Sequence, residues 1–337
     1  VTIPIANQPN FAMKSAQLLI GENLNQSCSK FPIYPSIALS FLNFLREIQL
    51  QWKTYNFANH TKNNNFLRNS EDKLELTIND LTIAYNDAGP SDAPTIIFIH
   101  GFPFNKSMWA GQLELLKDRY RVIAYDVRGH GDSEAGKEDF AIELFVNDLL
   151  SLMDALKLDR VILCGLSMGG YIAINAVLHY PKRFKALILS DTQCTADTPE
   201  GKEKRMKTIE SIRENGVEKY AEESVKNLFA PASFTTKEKE IAAIKEMILK
   251  TPEQVLSKTL LALAKRKETC SKLYKIKIPT LILVGESDKI TPPAAASVMH
   301  EKIQNSLLST ITHAGHLANL EHPAEFNDQL QAFLHRI

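Results

Sequence analysis

The segment Gly165-Leu166-Ser167-Met168-Gly169-Gly170 constrains this chain more than any other. It follows an apolar run, Arg160-Val161-Ile162-Leu163-Cys164, that reads as a buried strand. It precedes Tyr171 to Tyr180, which reads as a helix. A strand that turns at once into a helix around Gly-x-Ser-x-Gly is a nucleophile elbow. Only small residues fit beside the serine in so tight a turn. The turn pushes the hydroxyl out over the end of the sheet. The helix N-terminus behind it offers free N–H groups to a developing negative charge. This geometry suits attack on an ester, lactone or similar carbonyl.

From residue 73 the pattern is regular. Leu74–Ile78 and Leu81–Tyr85 alternate apolar and polar residues, and Asn79-Asp80 joins them as a hairpin. Strands are predicted at Thr95–His100, Arg121–Asp126, the elbow strand, Phe184–Leu189, Thr280–Val284 and Ser306–Ile311. Helical patterns separate them, at Met108–Lys117, Phe140–Leu156, from about Ala294, and up to Ile337. An antiparallel start followed by βα units predicts a mostly parallel sheet with helices on both faces. The core is therefore expected over 73–192 and 276–337. Residues 193–275 carry no strong strand but several charged helical stretches, and read as a helical lid on the side where the serine emerges.

Residues 1–72 differ. They are rich in Asn, Gln and Ser, show no strand–helix alternation, and are expected to be irregular or partly helical. The apolar run Ile37–Leu45 fits a signal peptide poorly in position and flanks. Three readings stay open: a short helix resting on the main domain, part of a disordered arm, or a chain that starts upstream of its natural beginning.

A serine needs a general base, and the base needs a third group to hold its tautomer. Past the strand Thr280–Val284, Asp288 stands in the following loop, with Glu286 as a rival nearer the strand end. Past the last strand, His316 follows Gly315, with His313 as the rival base. The order Ser167, Asp288, His316, each at a strand end, is what makes the set specific. The oxyanion hole needs two backbone N–H groups. Met168 supplies one, and Phe102 in the His100-Gly101-Phe102-Pro103 loop is the candidate for the other. Arg128, in the Gly-rich Asp126–Ser133 turn, reads as scaffold.

These motifs together resemble the α/β-hydrolase superfamily over residues 73–337: the His-Gly-Phe-Pro loop, Asp-x-Arg-Gly-His-Gly-x-Ser, the elbow, Gly-x-x-Asp-x-x-x-Pro and Gly-His. The elbow and the stretch Asp191 to Gly201 are similar to 3-oxoadipate enol-lactonases and small carboxylesterases. The resemblance implies an eight-stranded, mostly parallel sheet with a helical lid after the sixth strand. It implies a serine esterase or lactonase that works through an acyl-enzyme, without metal or cofactor. Serine at the elbow departs from dehalogenases and epoxide hydrolases, which carry Asp there. The loop after His100 lacks the extra glycines of typical carbon–carbon bond hydrolases. Trp109 and Arg205 are the candidate substrate contacts. Lys202, Lys204, Arg205 and Lys207 enter the lid together, either as a solvated face or with one or two turned inward on a substrate carboxylate. The rivals are another hydrolase on the same triad (perhydrolase, amidase, thioesterase or carbon–carbon hydrolase) and a ligand-binding protein that turns over nothing.

Composition narrows the setting. Lys plus Arg and Asp plus Glu are 39 each, so no net field favours nucleic acid or an anionic membrane. No apolar stretch has spanning length. The four cysteines are far apart without a C-x-x-C pair, and read as reduced thiols rather than a disulfide framework. The expectation is a cytoplasmic monomer or small homo-oligomer whose partner is a small-molecule substrate.

Overall fold

The computed structural model describes residues 74–337. The N-terminal segment, with Ile37–Leu45 and Cys28, lies outside the described residues. Strands β1 (Leu74–Ile78) and β2 (Leu81–Ala88) form the expected hairpin. Its turn residues Asn79 and Asp80 have φ of 48° and 59°, which the short polar side chains of Asn and Asp tolerate. Then follow β3 (Thr95–Ile99), α1 (Ala110–Leu116), β4 (Arg121–Tyr125), α2 (Ile142–Ala155), β5 (Val161–Leu166), α3 (Met168–His179) and β6 (Phe184–Ser190). After a helical insertion come β7 (Thr280–Gly285), α8 (Pro293–Lys302), β8 (Ser306–Ile311), the single turn α9 (Ala318–Glu321) and α10 (Pro323–Leu334). The eight strands form one sheet in the order β1-β2-β4-β3-β5-β6-β7-β8. β1–β2 and β2–β4 pair antiparallel, and the rest pair in parallel.

The middles of the central strands are apolar runs, such as Ile96–Ile99 and Val161–Cys164, because both faces of the sheet are covered. Successive side chains of β3 go to opposite sides. Ile96 and Phe98 pack with Leu113 and Leu116 of α1 and with Phe326 and Leu330 of α10. Ile97 and Ile99 share the other core with Phe145 and Leu149 of α2, Ile172 of α3 and Met299 of α8. Each such fully buried side chain contributes roughly 1.5–3 kcal/mol. Arg128, as expected of scaffold, is buried in a bidentate pair with Asp148, both bonds at 2.7 Å.

The insertion between β6 and β7 consists of α4 (Pro199–Leu228), α5 (Ser233–Thr236), α6 (Glu238–Lys250) and α7 (Glu253–Lys265). Thr198 caps α4, and Gly216 breaks it with a φ of 83°. Contrary to the expectation of reduced thiols, two of the cysteines are bridged. Cys194 and Cys270, 76 residues apart, form a disulfide, while Cys164 is free and buried. The bridge joins the two ends of the insertion, so the chain spacing that argued against pairing is closed by the fold. A bridge over so long a loop typically contributes ~2–4 kcal/mol. Thiol titration of the denatured chain before and after reduction should differ by two thiols, the Cys194–Cys270 pair. A difference of zero would remove the bridge.

Candidate active site

The elbow forms because its glycines allow two close approaches. A Cβ on Gly165 would lie 2.2 Å from the Gly169 carbonyl oxygen, and one on Gly169 would lie 2.3 Å from that of Ile99. Between them Ser167 sits at φ 53°, ψ −112°, a strained conformation that lifts its side chain off the end of β5. Its amide donates to Ser190 O at 3.0 Å, and Thr192 Oγ donates to its carbonyl at 2.8 Å.

Asp288 and His316 stand on the loops after β7 and β8. The Asp288 Oδ2 accepts from His316 Nδ1 at 2.8 Å and from the Thr291 hydroxyl at 2.7 Å. Its Oδ1 accepts from the amides of Ile290 and Thr291 at 2.8 and 3.0 Å. Burial pushes the Asp288 carboxyl up, but His316 and these donors together hold it below the ordinary carboxylate range. Burial likewise pushes His316 down, and the Asp288 carboxylate more than offsets it, so the imidazole holds its proton more firmly than usual. The Nδ1 bond to Asp288 leaves Nε2 as the basic nitrogen. The two rivals sit elsewhere and hold each other. Glu286 accepts from the His313 amide at 2.9 Å, and both side chains are exposed.

Ser167 and His316 line one cavity of about 380 Å³, together with Met168 and Phe102. Met168 is the first residue of α3, so its amide is one of the free N–H groups at that helix end. The Phe102 loop is fixed by His100. That imidazole donates from Nδ1 to Gly101 O at 2.8 Å and accepts the Val127 amide on Nε2 at 2.9 Å. Burial pushes His100 down to about 4, so it is neutral and keeps this tautomer.

The two substrate-contact candidates part company. Arg205 lines the cavity, with its Nε donating to Asp197. Trp109 does not line it. It is fully buried against Phe98 and Phe326, with ring centroids at 4.9 and 6.4 Å, because the turn Lys106–Trp109 packs it into the core shared with α1 and α10. Of the neighbouring cations Lys204 lines the cavity, whereas Lys207 pairs with Glu203 on the exposed surface.

Residues 94–323 match the model of the alpha/beta hydrolase fold family. The chain belongs to that family. Among proteins similar to this α/β hydrolase is 3-oxoadipate enol-lactonase 1 of Acinetobacter baylyi, 30% identical over 76% of this chain and 94% of the relative. Among solved structures, a thermophilic esterase from Thermogutta terrifontis is 33% identical, with a TM-score of 0.74 over 79% of this chain and 98% of its own. The enol-lactonase from Burkholderia xenovorans LB400 is 27% identical, with a TM-score of 0.73 over 77% of this chain and 99% of its own.

Sequence reasoning missed three groups near the hydrolase's triad candidates. Thr291 adds a hydroxyl bond to Asp288; its place three residues after an acidic loop residue was a readable turn signal. Asp191, just past β6, accepts from the Gly285 amide at 2.8 Å and from the Ser190 hydroxyl at 2.7 Å. Burial and the Asp288 charge push its carboxyl up to about 8. Lys289 joins the cavity wall from the Asp288 loop.

Proposed function

We propose that this hydrolase, which acts on ester bonds, cleaves a small carboxylic ester or lactone through an acyl-enzyme on Ser167, and that its substrate carries a carboxylate. His316 Nε2 takes the proton from Ser167 Oγ as that oxygen bonds to the carbonyl carbon. The carbonyl oxygen becomes an oxyanion held by the Met168 and Phe102 amides, each donor being worth about 3 kcal/mol of barrier. The C–O bond breaks, and the imidazolium returns its proton to the leaving alkoxide. In a lactone that alkoxide stays on the acyl group. Water, deprotonated by His316, then attacks the acyl carbon; the bond from that carbon to Ser167 Oγ breaks, the imidazolium returns its proton to Oγ, and the acid leaves.

The observation that carries this reading is the makeup of the cavity. Its floor holds Ser167 and His316, and its upper wall comes from the insertion, through Leu228 of α4 and Leu260 and Leu263 of α7. On this reading the insertion is the lid. Three cations, Lys204, Arg205 and Lys289, line the same space, with Asp197 the one acid. Asp197 is taken up by Arg205 and by Arg266 at 2.7 Å. Lys204 and Lys289 have no ion pair among the described residues, and both are exposed at the rim. A substrate carboxylate at the mouth would meet these two lysines. Enol-lactonases are the relatives whose name fits an acidic lactone.

The test compares an anionic lactone with a neutral ester of similar size. A rim charge is worth under about 1 kcal/mol. Lys204→Gln with Lys289→Gln should therefore raise KM for the anionic lactone about tenfold and leave the neutral ester unchanged. Equal effects on both substrates would remove the carboxylate from this reading.

The cytoplasmic setting loses its cysteine argument to the Cys194–Cys270 bridge, since such bonds persist in oxidising compartments. No helix among the described residues is long and apolar enough to cross a membrane.

A further inference from the structure

The single turn α9 follows His316 and ends on a glutamate that the chemistry above does not use. Glu321 is 1% exposed, yet no cation pairs with it among the described residues. Three donors satisfy it instead. Its Oε1 accepts the Gly315 amide at 2.7 Å. Its Oε2 accepts the Ala230 amide at 2.7 Å and the Ser233 hydroxyl at 2.6 Å. Gly315 is the neighbour of His316, whereas Ala230 and Ser233 belong to the insertion, just past α4. One carboxylate thus grips both the histidine loop and the insertion.

A second bond runs beside it. The His316 amide donates to Leu228 O, the last residue of α4, at 2.8 Å. The two backbones meet so closely that a Cβ on Gly315 would lie 2.6 Å from the Ala230 nitrogen and 2.9 Å from the Leu228 oxygen. Leu228 is itself part of the cavity wall. A buried carboxylate is costly to desolvate and is kept only where donors compensate it. A glutamine has one acceptor oxygen and could not serve all three donors.

We infer that Glu321 is a positioning residue that locks His316 to the helical insertion, so that seating the insertion over the cavity and placing the general base are one event. The inference rests on the Ser167–His316–Asp288 reading above. The acidic groups that act on His316 are Asp288, Asp191 and Glu321, and each favours the protonated imidazole. Lys289 shares the cavity with it.

The experiment uses the full chain with Glu321→Gln, Ser233→Ala and His316→Ala, measuring kcat and KM for p-nitrophenyl acetate across pH alongside thermal unfolding. Glu321→Gln should lower kcat about tenfold by leaving a buried donor unmatched. It should also move the acid limb of kcat/KM to lower pH by about half a pH unit, because the Glu321 charge is gone. Ser233→Ala keeps that charge, and should lower kcat about threefold without moving the limb. An unmoved limb in Glu321→Gln, whatever its melting temperature, overturns the inference. If that variant does not fold, unchanged kcat and KM in Ser233→Ala overturn it. Activity surviving in His316→Ala instead sinks the triad reading on which the inference stands.

Discussion

Ser167→Ala and His316→Ala should each lower kcat for an activated ester on the order of 10⁵–10⁶-fold, and the double variant should be no worse than either single one. In the proposed mechanism the two side chains act in one step, so removing either removes the step. Neither change should unfold the protein. Ser167 and His316 both border the cavity, so truncation enlarges an existing space instead of opening a new void in the core. The alanine at 167 inherits the same φ of 53°, so the strain of the turn is unchanged. The measurement is kcat for p-nitrophenyl acetate with the melting temperature of each variant. A fluorophosphonate should add covalently to the parent chain at Ser167 and not to Ser167→Ala. Strictly additive losses, or labelling that survives Ser167→Ala, would show that the nucleophile lies elsewhere.

Asp288→Asn should lower kcat about 10³–10⁴-fold, while Glu286→Gln should leave it within about twofold. In Asp288→Asn the remaining oxygen, at the Oδ1 position, still accepts from the Ile290 and Thr291 amides, so the loop keeps its shape. The amide nitrogen then faces His316 Nδ1, where the carboxylate oxygen stood at 2.8 Å. An N–H aimed at Nδ1 forces the proton onto Nε2, the nitrogen that must accept from Ser167. In the parent chain His316 is raised above its ordinary value, so the acid limb of kcat/KM lies above pH 6.5. Activity is lost as pH falls through that limb, because the protonated imidazole is no base. Without the Asp288 charge the burial effect dominates, and the residual activity should show its limb at lower pH. Asp191 does not substitute for it, since its two oxygens already accept from Gly285 and Ser190. If Glu286→Gln is the more damaging change, the acid has been assigned wrongly.

Some of this was legible because it is decided locally. The elbow depends on backbone sterics within six residues, Gly165 to Gly170, and no distant contact is needed to read it. The β1–β2 hairpin follows from Asn79-Asp80, whose side chains tolerate positive φ. The buried strands announce themselves by uninterrupted apolar runs, and the positions of Asp288 and His316 follow from counting strand ends. The choice between Asp288 and Glu286 was harder. Both lie in one loop, and only side-chain direction separates the one bonded to His316 from the one bonded to His313.

What the sequence by itself determined is the order of strands and helices and the turn that presents Ser167, because each depends on neighbours along the chain. The tertiary structure decided what depends on neighbours in space. Trp109 looks the same in sequence whether it faces a substrate or the core, and packing against Phe98 and Phe326 put it in the core. Arg205 is one charge among several until Asp197 takes its Nε. Cys194 and Cys270 are 76 residues apart, and they meet only because β6 and β7 are adjacent parallel strands that bring both ends of the insertion to one place. Glu321 becomes a tie between loop and insertion for the same reason: its partners, Ala230 and Gly315, are joined through the closure of the insertion onto the sheet, which no local pattern encodes.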